Sequence, residues 1–125
     1  MIIVKIDTKE RFTVITPQDA DLSVNMTEEL GNLLLSYLQK DIPHIVLNMQ
    51  DVKAMEEEAA EKIAGTQQQF YAAGHSFVIC CLQPGVEKTF ARMDFFDGMN
   101  ITPSESEAWD IVQMEEIERE LLGDD

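Results

Sequence analysis

The sequence contains little positive charge and few cysteines. Nine Lys and Arg residues stand against 24 Asp and Glu residues, which gives a formal net charge of −15 at pH 7. Such a chain repels the phosphates of a nucleic acid and the surface of an anionic membrane. Its two cysteines, Cys80 and Cys81, are adjacent in an apolar run, where successive side chains of a strand point to opposite faces and do not bridge easily. We therefore expect neither nucleic-acid binding nor a disulfide scaffold.

Long apolar runs are also absent. No stretch approaches the roughly 18 apolar residues of a membrane span, and the first charge, at Lys5, comes too early for a signal peptide. These absences predict a protein that does not insert into a membrane and that works in the reducing cytoplasm. With 125 residues, of which 45% are apolar and 26% charged, the chain has the size and composition of one globular domain.

The apolar periodicity predicts strands that alternate with helices. Two β-branched runs, at residues 2–6 and 12–16, indicate a hairpin. Continuously apolar segments at 44–49 and 77–82 are typical of strands buried on both faces, and one more short strand is expected at 99–101. Four helices are expected: a first with Asn25 as N-cap and Glu28 as its partner, a second from Glu56 that ends at Gly74, a short third near Pro84, and a last opened by a capping box of Ser104 and Glu107.

This order, β-β-α-β-α-β-α-β-α, predicts an α/β domain. It implies a mixed central sheet of about five strands with an N-terminal hairpin and about four helices. We place the domain at residues 1–112. Residues 113–125 are expected to form an acidic helix extension or tail, since residues 104–125 contain nine acids and one base, Arg119.

Residues that commonly carry out chemistry are poorly placed for it in this sequence. His44 and His75 each precede a strand and lie outside any metal-ligand spacing, so we interpret them as structural or surface histidines. The glycines are too far apart to form a phosphate-binding loop. An apolar strand disfavours the thiolate form of Cys80 and Cys81, so both are expected to be inert. We expect no enzymatic activity, no cofactor and no metal.

One unusual group of residues follows the first buried strand, where Met55 precedes Glu56, Glu57 and Glu58. Acids in the first turn of a helix are stabilised by the helix dipole, and that alone accounts for them in one interpretation. In the other interpretation they mark a functional site, because α/β sheets place their sites where a strand ends and a helix begins. A metal site with Asp51 is not favoured, since consecutive helical side chains diverge by about 100°.

Five segments between residues 12 and 112 carry a family resemblance through their order and spacing, and none of them is specific alone. They are QDADL at 18–22, IVLNMQDV at 45–52, AGHSFVI at 73–79, PGVEKTF at 84–90 and PSESEA at 103–108. Together they resemble the STAS family, the domain shared by anti-sigma-factor antagonists and the tails of sulfate transporters.

The most diagnostic motif of that family, Asp-Ser-Ser-Gly, is absent. Alignment from Val52 places Glu56 at the Asp position, Glu57 at the phosphoacceptor Ser and Glu58 at the second Ser. In antagonists of this family the unphosphorylated form binds an anti-sigma kinase and releases its sigma factor, and phosphorylation of that Ser ends the binding. Glutamate has no hydroxyl to phosphorylate, but it places about −1 charge where a phosphate would bring −1.5 to −2.

The resemblance implies a protein-binding module and leaves two hypotheses open. The first is a partner-switching regulator of transcription, fixed in a phosphorylated-like state or adapted to a partner that accepts an acidic helix start, with an anti-sigma factor of histidine-kinase-like fold as the partner. The second is a scaffold or regulatory subunit of a transporter or stress-signalling complex, without a kinase. A weak homodimer is left open. The implied contact surface consists of Glu56, Glu57, Glu58, Asp21, Asn25, Met55 and Met93.

Overall fold

A computed structural model describes residues 2–93 and 98–122. Each predicted strand and helix has a counterpart, and one further pair of short strands is present. The elements in chain order are β1 (Val4–Thr8), β2 (Thr13–Pro17), β3 (Asp21–Leu22), α1 (Val24–Ser36) with a 3-10 turn at Tyr37–Gln39, β4 (Ile45–Asn48), β5 (Ala54–Met55), α2 (Glu57–Ala72), β6 (Phe77–Cys80), α3 (Pro84–Ala91), β7 (Ile101–Thr102) and α4 (Glu105–Leu122).

The main sheet has five strands in the order β1-β2-β4-β6-β7. β1 is antiparallel to β2, as the predicted hairpin requires, and the other neighbours are parallel. The α/β class, the mixed sheet and the four helices are therefore confirmed. The unpredicted feature is a second, two-stranded parallel sheet, in which Asp21 pairs with Ala54 and Leu22 with Met55.

Alternate residues of the central strands contribute to two separate cores. Ile45 and Leu47 of β4 belong to the larger core, which α1, α2 and α3 cover. Val46 of β4 points to the opposite face and belongs to a smaller core with Ala108 and Val112 of α4. The strands are thus buried on both faces, which explains why β4 and β6 are continuously apolar in sequence.

Three helix ends test the predicted caps. Gly74 follows α2 with φ of 83°, a left-handed conformation that glycine adopts at no steric cost, as expected. Ser104 Oγ accepts the N–H of Glu107 at 3.3 Å, so the expected cap of α4 is present. The cap predicted for α1 is wrong, because Ser23 is the N-cap and accepts the N–H of Met26 at 3.2 Å. Asn25 lies instead inside the first turn of α1.

The last strand and the last helix also differ in extent from the sequence pattern. β7 lies at Ile101–Thr102, not at 99–101, because its register is set by pairing of Ile101 with Ile79 and of Thr102 with Cys80. α4 continues as one helix to Leu122. Residues 113–122 of the predicted extension are therefore helical, and residues 123–125 lie outside the described residues.

Candidate functional site

The β3–β5 pair brings the segment before α1 beside the start of α2. In addition to the paired residues, the carbonyl oxygen of Ala20 accepts the N–H of Lys53 at 2.7 Å and of Ala54 at 3.1 Å. β5 ends at Met55, so Asp21 and the start of α1 adjoin the three glutamates. The structure thus joins two segments that are more than 30 residues apart in sequence.

Glu56 is the N-cap of α2, and its side chain binds the neighbouring helix. Glu56 Oε1 accepts the N–H of Val24, the first residue of α1, at 3.0 Å. Its own N–H donates to the carbonyl oxygen of Leu22 at 3.3 Å. The first N–H groups of a helix have no partner within the helix, so this carboxylate satisfies one of those of α1. Glu56 therefore holds the two helix starts together.

Glu57 is the first residue of α2 and points its carboxylate toward solvent. Its side chain is 57% exposed, and Oε2 lies 3.3 Å from Nη1 of Arg92, whose side chain is 64% exposed. Arg92 is the C-terminal cap of α3. Exposed ion pairs of this kind contribute little to stability because water and salt screen them. The carboxylate is thus accessible but has a cationic neighbour.

Glu58 and Asn25 are also exposed, whereas the two methionines are not free surface residues. Met55 is only 9% exposed and belongs to the larger core. Met93 is partly buried against the same core. The expectation that both lie at an interface came from the family resemblance. In the fold, Met55 packs beneath the start of α2 and supports the surface from below.

α3 is held close to this surface by its first turn. Gln83, the N-cap of α3, donates from Nε2 to the carbonyl oxygen of Gln50 at 2.6 Å. Gly85 approaches the carbonyl oxygen of Lys53 so closely that a Cβ atom would lie 2.7 Å from it. These contacts position Arg92 beside Glu57. Sequence patterns did not point to Arg92, because the pair joins two helices that are 35 residues apart in sequence.

Metal-ligating and nucleophilic side chains are not gathered at this surface. Within residues 2–93 and 98–122, no group of three His, Cys, Asp or Glu side chains is placed to hold a metal ion. Cys80 is buried, and burial raises the pKa of its thiol, with the adjacent Cys81 adding to the effect. The surface can bind through charge and shape, and its described side chains offer no activated nucleophile.

The two histidines lie at the other end of the parallel strands, where β4 and β6 begin. His44 is buried, and its Nδ1 accepts the N–H of Ser76 at 3.0 Å. The ring of His75 stands edge-on to that of His44, with 5.6 Å between the ring centroids. The prediction of a structural role therefore fits His44. Its neighbour Glu116 on α4, whose Oε2 lies 3.5 Å from Nε2 of His44, could not be identified from the sequence.

Comparison with known proteins finds a matching family model and solved structures of similar fold. The family model described as STAS domain matches residues 4–108. Among solved structures, SpoIIAA, an anti-sigma factor antagonist in its unphosphorylated form, has 18% identity and a TM-score of 0.71, with 89% of this chain and 96% of that chain covered. RsbS of Moorella thermoacetica, in a variant with one serine replaced by glutamate, has 16% identity and a TM-score of 0.72, with 88% and 94% covered.

A eukaryotic transporter contains the same fold in part of its chain. The murine anion transporter Slc26a9 has 14% identity and a TM-score of 0.71, and the match covers 86% of this chain but only 18% of that one. In the described part of the present protein, no helix is long and apolar enough to cross a membrane.

Proposed function

This chain belongs to the STAS domain family, and from that premise we propose that it is a cytoplasmic protein-binding module of a partner-switching system that regulates transcription. In this proposal the start of α2 is the contact surface, and Glu57 stands where the family has its phosphorylatable serine. The partner is an anti-sigma factor of histidine-kinase-like fold. The module binds and catalyses no reaction of its own.

The observation that carries the proposal is the exposure of Glu57 at the first position of α2. Its carboxylate is more than half exposed, and Asp21 and Asn25 on the adjoining segments are also exposed. A partner can therefore reach this position without any change in the fold. SpoIIAA, which has a similar fold, is solved in both unphosphorylated and phosphorylated forms, which supports a phosphorylation-controlled ancestor for this module.

Charge sets the binding preference of such a surface. Glu57 carries a permanent charge near −1, less than that of a phosphoserine, and offers two acceptor oxygens in place of three. Arg92 lies 3.3 Å away and partly offsets that charge. We therefore infer a fixed affinity in place of a reversible switch, with complementary positive charge on the partner setting association rate and specificity.

The surroundings of Glu57 support a basic partner surface. The exposed acids on β3, α1 and α2 near it are Asp21, Glu28, Glu58 and Glu61. Lys62 pairs with Glu28 at 3.6 Å, so these two charges offset each other and Asp21, Glu58 and Glu61 remain. A partner that presents Arg or Lys side chains gains attraction from several carboxylates at once.

A second candidate is a STAS scaffold or regulatory subunit without a kinase partner. It is favoured by the absence of a hydroxyl at position 57, because a module that is never phosphorylated has no need of one. The similarity to part of the Slc26a9 anion transporter shows that this fold also occurs within a transporter chain. Both candidates use the same surface but predict different responses to a restored serine.

The test compares affinity capture from the native cell by the wild-type protein and by Glu57→Ser, with captured proteins identified by mass spectrometry. Glu118→Ser is the matched control, since Glu118 is also exposed but lies on α4, which packs on the opposite face of the sheet. An anti-sigma kinase captured much better by Glu57→Ser than by the other two supports a phosphate mimic that blocks this partner. An anti-sigma kinase captured less by Glu57→Ser than by the other two supports a partner that binds the acidic helix start. The same partner captured equally by all three, or a non-kinase partner throughout, contradicts both and favours the scaffold.

A further inference from the structure

A cavity of about 580 Å³ opens at the end of the molecule opposite to Glu57. It lies where β4 and β6 begin, whereas Glu57 follows the carboxyl end of β4. Two of the three arginines of the chain and both histidines line it, namely Arg11, Arg119, His44 and His75. This concentration of basic side chains is unusual in a protein with a net charge of −15.

Arg119, which lines this cavity, has an unsatisfied hydrogen-bond donor. Its Nη1 is buried and has no hydrogen-bond partner, and among the described residues it is the only buried side-chain nitrogen or oxygen in that state. A buried donor without a partner is destabilising, and native proteins satisfy such groups with other side chains, water or a bound ion. Arg119 therefore lines the cavity and carries one donor that the protein itself leaves unpaired.

The acidic side chains around the cavity do not neutralise Arg119. Glu116 Oε1 lies 2.7 Å from Nη1 of Arg11, and Glu116 Oε2 lies 3.5 Å from Nε2 of His44. Arg11 therefore offsets the charge of Glu116, and the described residues show no ion pair between Arg119 and an acid. The other two acids of the lining, Glu10 and Asp41, are exposed, where water screens their charge.

Of the two histidines, His44 has both ring nitrogens engaged, which leaves His75 as the further donor. Since Nδ1 of His44 accepts the N–H of Ser76, the proton of its neutral ring is on Nε2, the nitrogen on the side of Glu116. His75 lies beside it and is half-buried. Both are close enough to Arg119 for its charge to lower their pKa values, in addition to the larger lowering by burial.

We propose that this cavity binds a small oxyanion, a phosphate or carboxylate group, with Arg119 as its principal ligand and His75 as a neighbouring donor. A guanidinium presents parallel N–H groups that match two oxygens of such an anion, and hydrogen bonds between ionised partners are the stronger ones. The proposal does not depend on the function assigned to the Glu57 surface.

The experiment is an NMR titration of the ¹⁵N-labelled protein at constant ionic strength. Inorganic phosphate is the tetrahedral probe and acetate the planar one, each added separately in a chloride buffer. We expect saturable shifts of the amides of His44, His75, Ser76 and Arg119 with at least one probe. Saturation by phosphate alone, or by acetate alone, identifies the form of oxyanion that the cavity takes.

Variants decide whether Arg119 is the ligand. Arg119→Gln should weaken the binding about tenfold or more, as loss of a charge-assisted hydrogen bond would. Arg92→Gln is the control, because Arg92 is exposed at the opposite end and should bind as the wild type does. Arg119→Lys keeps the charge without the paired donors, so its affinity for the anion should lie between those of the wild type and Arg119→Gln. This variant also provides the test if Arg119→Gln does not fold. Shifts that fail to saturate with both probes, or wild-type affinity in both Arg119 variants, overturn the proposal.

Discussion

Gly85 and Lys53 approach each other so closely that no larger residue fits at position 85 without a shift. A Cβ atom there would lie 2.7 Å from the carbonyl oxygen of Lys53, a distance that side chains do not adopt. The contact joins the first turn of α3 to the loop before β5. It therefore helps to position both Arg92, at the end of α3, and the segment that leads to Glu57.

Gly85→Ala should destabilise the protein by about 1–3 kcal/mol, as overpacking of a close contact does. Backbone must move, because the obstructing atom belongs to the main chain of Lys53. Gly65→Ala is the matched control, since Gly65 lies within α2 and a Cβ there meets nothing within 4 Å. It should stabilise the protein by about 0.5–1 kcal/mol through helix propensity. Urea unfolding measures both, and equal effects in the two variants would contradict the close-contact argument.

Glu56→Ala should destabilise the protein by about 0.5–1.5 kcal/mol, because it leaves the N–H of Val24 without its side-chain acceptor. Glu56→Gln retains an oxygen at that position and should lose less. Among the described residues Glu58 accepts no such bond, so Glu58→Ala should change the free energy of unfolding by only a few tenths of a kcal/mol, the size of the helix-dipole effect. Thermal or urea unfolding of the three variants provides the comparison. An equal loss of stability in Glu56→Ala and Glu58→Ala would refute the contribution of the bond from Val24 to Glu56.

Local patterns in the sequence were sufficient to predict most of the fold. The hairpin, the buried strands and the helices follow from apolar periodicity over five to fifteen residues, and Gly74 marks the end of α2 through its own conformational freedom. The predicted N-cap of α1 is wrong because Ser23 and Asn25 are both good N-cap residues. The pairing of β3 ends at Leu22, so the helix begins directly after it and Ser23 is the N-cap.

The contacts of the candidate sites could not be predicted in the same way. Glu57 meets Arg92, and His44 meets Glu116, across 35 and 72 residues of sequence respectively, and no periodic pattern encodes such pairs. The two-residue strands β3 and β5 are also too short to show any alternation. The location of the acidic surface followed from the family resemblance, whereas the cavity at Arg119 became visible only in the folded chain.

Tyr71 should make stability fall at high pH. Burial raises its pKa to about 12, and hydrogen bonding to Glu115 adds to this. The folded state therefore keeps the phenolic proton where the unfolded state, with a pKa near 10, has lost it. The stabilisation is complete below pH of about 10 and is lost as pH rises toward 12. Urea unfolding at pH 9 and 11 should show a larger loss for the wild type than for Tyr71→Phe, and parallel losses would refute the assignment.

The same variant tests how α4 is held on the sheet. Glu115 accepts from the hydroxyl of Tyr71 at 2.8 Å, from Oγ of Ser76 at 2.6 Å and from Nδ2 of Asn100 at 3.0 Å. At neutral pH, Tyr71→Phe removes one of these donors and should cost about 1–2 kcal/mol. Glu115→Leu removes the common acceptor of the Tyr71 and Ser76 hydroxyls, while Asn100 keeps its bond to the Tyr71 hydroxyl, so it should cost more than Tyr71→Phe. A smaller loss in Glu115→Leu than in Tyr71→Phe would show that the network is not centred on Glu115.

His44 should make stability fall at mildly acidic pH. Burial lowers its pKa below the ordinary 6.5, and this outweighs the opposing attraction of Glu116, while Arg119 and His75 lower the pKa further. Because the unfolded chain binds the proton more readily, stability is complete above pH of about 7 and decreases as pH falls toward the lowered pKa. His75, whose pKa is lowered in the same direction, contributes with the same sign. In urea unfolding between pH 7.5 and 5.5, His44→Gln should therefore lose less stability than the wild type, and the double variant His44→Gln/His75→Gln less still. Identical pH slopes in all three proteins would mean that both imidazoles titrate alike in the folded and unfolded chain, and that the buried position of His44 costs its charged form nothing.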